Sequence, residues 1–99
     1  MVDFLKKDKV VYVNFHDDIN FETAEEIEAH ITKYSFSEDL EEVVVDLSKV
    51  RFIDSTGVSI LIKWLYPISQ QAEVTFQGST EPIKNILKIS KIDQFVAIN

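Results

Sequence analysis

The chain is 99 residues long, enough for one folded domain and too short for two. Its 45% hydrophobic and 27% charged residues are the mixture of an ordinary globular domain, and a chain of this size has little room for a deep catalytic cleft once its core is built. A net charge of -7 argues against nucleic acid and anionic lipid and favours a basic protein partner, while the lack of cysteine excludes disulfides, thiol nucleophiles and thiolate metal sites.

No segment reads as a targeting or spanning element. Met1 to Lys9 holds three lysines and no long apolar run, unlike a signal peptide. The most apolar stretch, Val58 to Leu65, is interrupted by Ser59 and Lys63 and is far shorter than the ~20 residues that cross a bilayer. A cytoplasmic domain without membrane insertion is the expectation.

Met1 to Leu5 predicts a short edge strand, Lys6 to Lys9 a polar turn, and the β-branched and aromatic run Val10 to Phe15 a second strand, together a hairpin. After the polar His16-Asp17-Asp18, Asn20 is placed to cap a helix. That helix carries Ala24, Ile27, Ile31 and Tyr34 at spacings of three and four, with acids in its first turn. Val43-Val44-Val45, ended by Asp46, predicts a central strand covered on both faces. A loop then leads to Asp54-Ser55-Thr56-Gly57 and to a second helix, which Pro67 is expected to end or kink near Tyr66. Glu73 to Phe76 predicts another strand, Gln77-Gly78 a turn, and Ser79 or Thr80 a cap for a helix with Pro82 in its first turn. Ile83, Ile86 and Leu87 form the inner stripe of that helix. Phe95 to Ile98 reads as a last short strand or an apolar tail. The order ββαβαβα requires parallel neighbours, so residues 1–99 are expected to form a single α/β domain with a mixed sheet of four or five strands and about three or four helices.

Asp54 to Gly57 sits where a strand-borne loop enters a helix. Helix starts expose backbone N–H groups and a positive dipole end. Two readings of Ser55 follow: it caps the helix, or it accepts a phosphate. Phosphate at such a site meets N–H donors, yet adds about -1.5 to -2 charges beside Asp54, which turns away a partner fitted to the neutral hydroxyl. Gly57 allows close approach of another backbone or of a partner. On the second helix, Val58, Leu61, Ile62 and Leu65 share one face, and Ile60 and Trp64 lie beyond its edge. Those two are either buried by neighbouring elements or form an apolar docking patch beside Ser55.

The run Asp46-Leu47-Ser48, Val50, Phe52-Ile53-Asp54-Ser55-Thr56-Gly57 resembles the signature of STAS domains, the anti-sigma factor antagonists of bacteria. Asp18-Ile19-Asn20 with Thr23-Ala24 is similar to the start of the family's first helix, and Ile86-Leu87 with Ile92-Asp93-Gln94-Phe95 to its closing helix and tail. The chain departs from the family at Asp17 and Asn20, at Gln70-Gln71, and at Pro67, which is expected to shorten the second helix. The resemblance implies a STAS-like fold and a binding module rather than an enzyme. Its implied partner is a serine kinase that is also an anti-sigma factor, bound while Ser55 is unphosphorylated, released on phosphorylation, and regained through a phosphatase. The implied contact surface includes Asp18, Asn20, Asp54, Ser55, Thr56 and Gly57. A non-switching STAS scaffold in a signalling or transport complex is the alternative.

Catalytic and metal signals are weak. His16 and His30 are the only histidines and lack the spacing of a ligand pair, so neither a metal nor a cofactor is expected. A triad of Ser55, His16 and Asp18 can be drawn, but the nucleophile-elbow pattern is absent, as is any glycine-rich phosphate loop.

Overall fold

Strand β2, Val10–Phe15, alternates buried Val11, Val13 and Phe15 with outward Val10, Tyr12 and Asn14, the period of a strand with one covered face. In the computed structural model, which describes residues 1–99, β2 pairs antiparallel with β1, Val2–Lys7. Lys7 lies opposite Val10, so the hairpin turns on Asp8 and Lys9 alone. Asp8 takes a φ of 56°, a conformation that aspartate tolerates better than most residues. The first strand thus runs two residues further, to Lys7, than the polarity of Lys6 and Lys7 predicts.

Three further strands, β3 (Glu42–Asp46), β4 (Glu73–Gln77) and β5 (Ala97–Ile98), follow in parallel, and the sheet order is β1-β2-β3-β4-β5. The crossovers are α1 (Ala24–Lys33), α2 (Ser55–Ser69), and α3 (Glu81–Ile89) with a 3-10 turn at Ile92–Gln94. The last strand is the shorter version of the expected tail.

Asn20 does not cap α1 directly. Its side chain accepts the Thr23 N–H at 3.1 Å, while the Thr23 hydroxyl accepts the Asn20 N–H at 3.1 Å and donates to the Asp18 carbonyl at 2.7 Å. This closes a turn ahead of a helix that begins at Ala24. Ile27 and Ile31 are its buried stripe, as the spacing requires.

Pro67 neither ends nor shortens α2, which runs on to Ser69. The carbonyl that a proline leaves without a donor is that of Lys63, an exposed residue. The chain closes the helix beyond it, with the Gln70 N–H on the Pro67 carbonyl at 3.2 Å and the Ala72 N–H on the Ile68 carbonyl at 3.0 Å.

The buried apolar side chains of all three helices join Val11, Val13, Phe15, Val43, Val45, Val74 and Phe76 in one core of 23 residues. Val44, only 8% exposed, stands outside it. The central strand is therefore covered by helices on one face only, contrary to the expectation from its valine run. On the other face the neighbouring Tyr12 and Thr75 shield Val44. No helix is long and apolar enough to cross a membrane.

Candidate functional site

Two loops leave the carboxyl ends of β2 and β3, and they are laced together. Ile19 and Ile53 form a parallel bridge, with the Ile19 N–H on the Phe52 carbonyl at 3.1 Å and the Asp54 N–H on the Ile19 carbonyl at 3.4 Å. Each loop also lends the other a carboxylate. Asp18 Oδ1 accepts the N–H groups of Arg51 at 2.8 Å and Phe52 at 3.2 Å. Asp54 Oδ2 accepts the Phe21 N–H at 3.0 Å. Buried Ile19, Leu47, Val50 and Ile53 anchor both loops to the core.

Asp54, not Ser55, is the cap of α2. Its backbone is extended, and Oδ1 accepts the Gly57 N–H at 2.8 Å. The N–H groups of Gly57 and then Phe21 hold the Asp54 carboxyl below its usual range, so it is ionised at neutral pH. Ser55 is the first residue of the helix, and it is exposed. Its hydroxyl makes no hydrogen bond within the chain, and capping therefore does not account for it. Thr56 is half-buried behind it.

Gly57 is buried, and its close approach is internal. A Cβ built there would lie 2.0 Å from the Ile19 carbonyl oxygen. The glycine lets the first loop press on the start of α2; it does not open a path to a partner.

The exposed Asp54 forms a crest between two open depressions, both of which the buried Ile53 also lines. On one side a groove of about 520 Å³ between α2 and α3 is lined by Ser55, Val58, Ser59, Ile62, Ile86 and Ile89. Ile89 at its rim is 81% exposed. On the other side a depression of about 470 Å³ lies between Phe21 and Phe52, which are 77% and 63% exposed.

Ile60 and Trp64 do not belong to this surface, and of their two readings the packing supports burial by neighbouring elements over a docking patch beside Ser55. Ile60 is 5% exposed and part of the core. Trp64 packs edge-on to Phe4 and Phe15, with ring centroids 6.4 and 6.0 Å apart, where α2 meets α1 and the first two strands. The apolar arc of α2 is wide because α1 covers one flank and the sheet another. The flank left open is that of Val58 and Ile62, which helical spacing alone assigns to the interior. The exposed Ile89 lies off the Ile83–Leu87 stripe, and that offset was its available signal. Nothing in the local pattern marks Phe21 and Phe52, since aromatic residues in loops are as often buried.

Ser55, His16 and Asp18 are not brought together. His16 Nε2 contacts Asp3 Oδ2 at 2.5 Å at the open end of the hairpin, and Asp18 is engaged by backbone. No group of three or more histidine, aspartate or glutamate side chains is placed to hold a metal ion.

No curated protein matches the sequence. Solved structures share the fold. A Thermotoga maritima protein assigned as an anti-sigma factor antagonist superposes with a TM-score of 0.82 at 20% identity, over 98% of this chain and 84% of that one. An anti-sigma factor antagonist from Mycobacterium paratuberculosis gives 0.77 at 21% identity, over 99% and 83%. The anti-sigma factor antagonist SpoIIAA in its unphosphorylated form gives 0.66 at 12% identity, over 100% and 87%. The profile of the STAS domain matches residues 1–99, and with the order of strands and helices and the loop-to-helix junction at Asp54 already in place, the chain belongs to the STAS domain family.

Proposed function

We propose that the chain is a phosphorylation-controlled binding module, an anti-sigma factor antagonist whose switch is Ser55. The observation that carries this is the division of labour at the start of α2: Asp54 does the capping, and the neighbouring Ser55 hydroxyl is exposed and free of any internal bond. A kinase can reach it without the domain opening. The crest around it is flanked by apolar depressions that a partner can fill, so the hydroxyl lies where a docked surface would press.

Phosphate on Ser55 brings about -1.5 to -2 charges beside an ionised Asp54. The helix dipole favours an anion at this end, so the fold tolerates the group. A partner seated on the crest does not, because the added charge has to be desolvated against apolar surface. The partner best suited to this logic is a serine kinase that is itself an anti-sigma factor, with a phosphatase resetting the cycle in the cytoplasm. Support comes from SpoIIAA, a Bacillus protein of this fold known in phosphorylated and unphosphorylated forms.

Incubation with such a kinase and ATP, followed by mass spectrometry, tests the reading. Phosphate is expected on Ser55, with Ser55→Asp failing to bind the kinase. If Ser55→Asp and Ser55→Ala both bind as the natural chain does, Ser55 is not a switch and the domain acts as a fixed scaffold.

A further inference from the structure

The helix-free face of the sheet carries a pattern independent of Ser55. Register places Leu5, Tyr12, Val44, Thr75 and Ala97 side by side, one from each strand, in a single row across the whole sheet. Leu5 is 52% exposed and Tyr12 36%. Sheets built mainly of parallel strands are normally covered on both faces, and here the second cover is missing.

Acids flank this row. Glu42 and Glu73 are register partners on adjacent strands along one side. Like charges so placed repel, and no cation of the chain pairs with either. Asp46 lies on the other side, bonded by the Gln77 amide and the Ser48 N–H, and Asp3 lies beyond it at the edge against His16. Lys7, two residues from Leu5, is the one strand cation on this face. A second copy of the chain would set this acidic face against another.

We infer that the open face of the sheet is a docking site for a basic amphipathic helix of a protein partner, its apolar stripe laid along the row from Leu5 to Ala97 and its lysines or arginines over Glu42 and Glu73 on one side and Asp46 on the other. Five strands at about 4.8 Å spacing make the row roughly 19 Å long, the length of about thirteen helical residues. A row one residue wide between charged rails matches an amphipathic stripe of i, i+3, i+4 and i+7.

The test titrates the isotope-labelled full chain with a synthetic fourteen-residue leucine–lysine peptide whose leucines share one helical face, read by backbone NMR. The largest shifts are expected on β1 to β4 at Leu5, Tyr12, Val44 and Thr75. Peptides with the same composition but scattered leucines, or with glutamate for lysine, are expected to bind at least tenfold more weakly. Tyr12→Lys, at an exposed strand position, should weaken binding about tenfold or more, and the pair Glu42→Gln with Glu73→Gln several-fold, the latter loss shrinking at high salt. Shifts confined to the α2–α3 groove, equal binding of the glutamate peptide, or no binding at all would overturn the inference. So would a dimer in sedimentation that Tyr12→Lys converts to monomer, which would make the occupant a second copy.

Discussion

The carboxylate of Asp54 accepts the backbone N–H of Phe21 at 3.0 Å, across 33 positions of sequence, while its other oxygen caps α2 through Gly57. One side chain thus ties the first loop to the helix that presents Ser55. The exposed Phe21 and the exposed Ser55 are held in one frame by Asp54, together with the Ile19–Ile53 bridge and the Asp18 carboxylate.

Asp54→Asn leaves one oxygen to serve two donors. It is expected to lower the melting temperature by about 5 °C at pH 7, read by circular dichroism. The folded carboxyl titrates below its usual value near 3.8, so its contribution is complete above about pH 4 and is lost as pH falls through the folded value. The gap between Asp54→Asn and the natural chain should therefore narrow at pH 3. A gap that is constant with pH would show that the charge of Asp54 contributes nothing.

Ser55→Ala removes a hydroxyl with no internal partner. Urea denaturation is expected to find its stability within about 0.5 kcal/mol of the natural chain, while phosphate uptake disappears. A loss of 1 kcal/mol or so would assign Ser55 a capping role instead.

Gly57→Ala forces a methyl group to 2.0 Å from the Ile19 carbonyl. Neither atom is a flexible side-chain end, so loop and helix must separate. A loss of about 3 kcal/mol is expected in chemical denaturation. Kinase binding should fall with it, because the same shift moves the Asp18 and Asp54 contacts.

Ile60→Ala empties a core position and should cost about 3 kcal/mol of stability. Ile89→Ser, at a residue 81% exposed, should change stability by less than about 0.5 kcal/mol yet weaken partner binding. Calorimetric titration beside denaturation separates the two; the reverse pattern would return the docking face to the α1 side of α2.

Much of this domain is written in local pattern. Alternation in Val10–Phe15, the Ile27–Ile31 stripe and the valine run of β3 each name an element because side-chain period follows backbone geometry. The loop-to-helix junction at Asp54 was legible for the same reason, since caps and glycines are read from a few neighbouring residues. The limits lay where a residue's role depends on what packs beside it. Pro67 stays inside α2, which the proline read from its local sequence does not foretell.

Sequence by itself determined the elements, their order, the candidate serine and the family. Tertiary structure alone decided which flank of α2 is open, because a helix apolar on most sides does not say which neighbour covers which side. It also decided that Asp54 rather than Ser55 caps the helix, that Gly57 serves Ile19, and that one face of the sheet carries no helix. The open flank of α2 and the approach of Ile19 to Gly57 depend on segments tens of residues apart, which no local period encodes, whereas the Asp54 cap spans only three residues. The free hydroxyl of Ser55 follows from the cap alone: the neighbouring Asp54 carboxylate takes the Gly57 N–H.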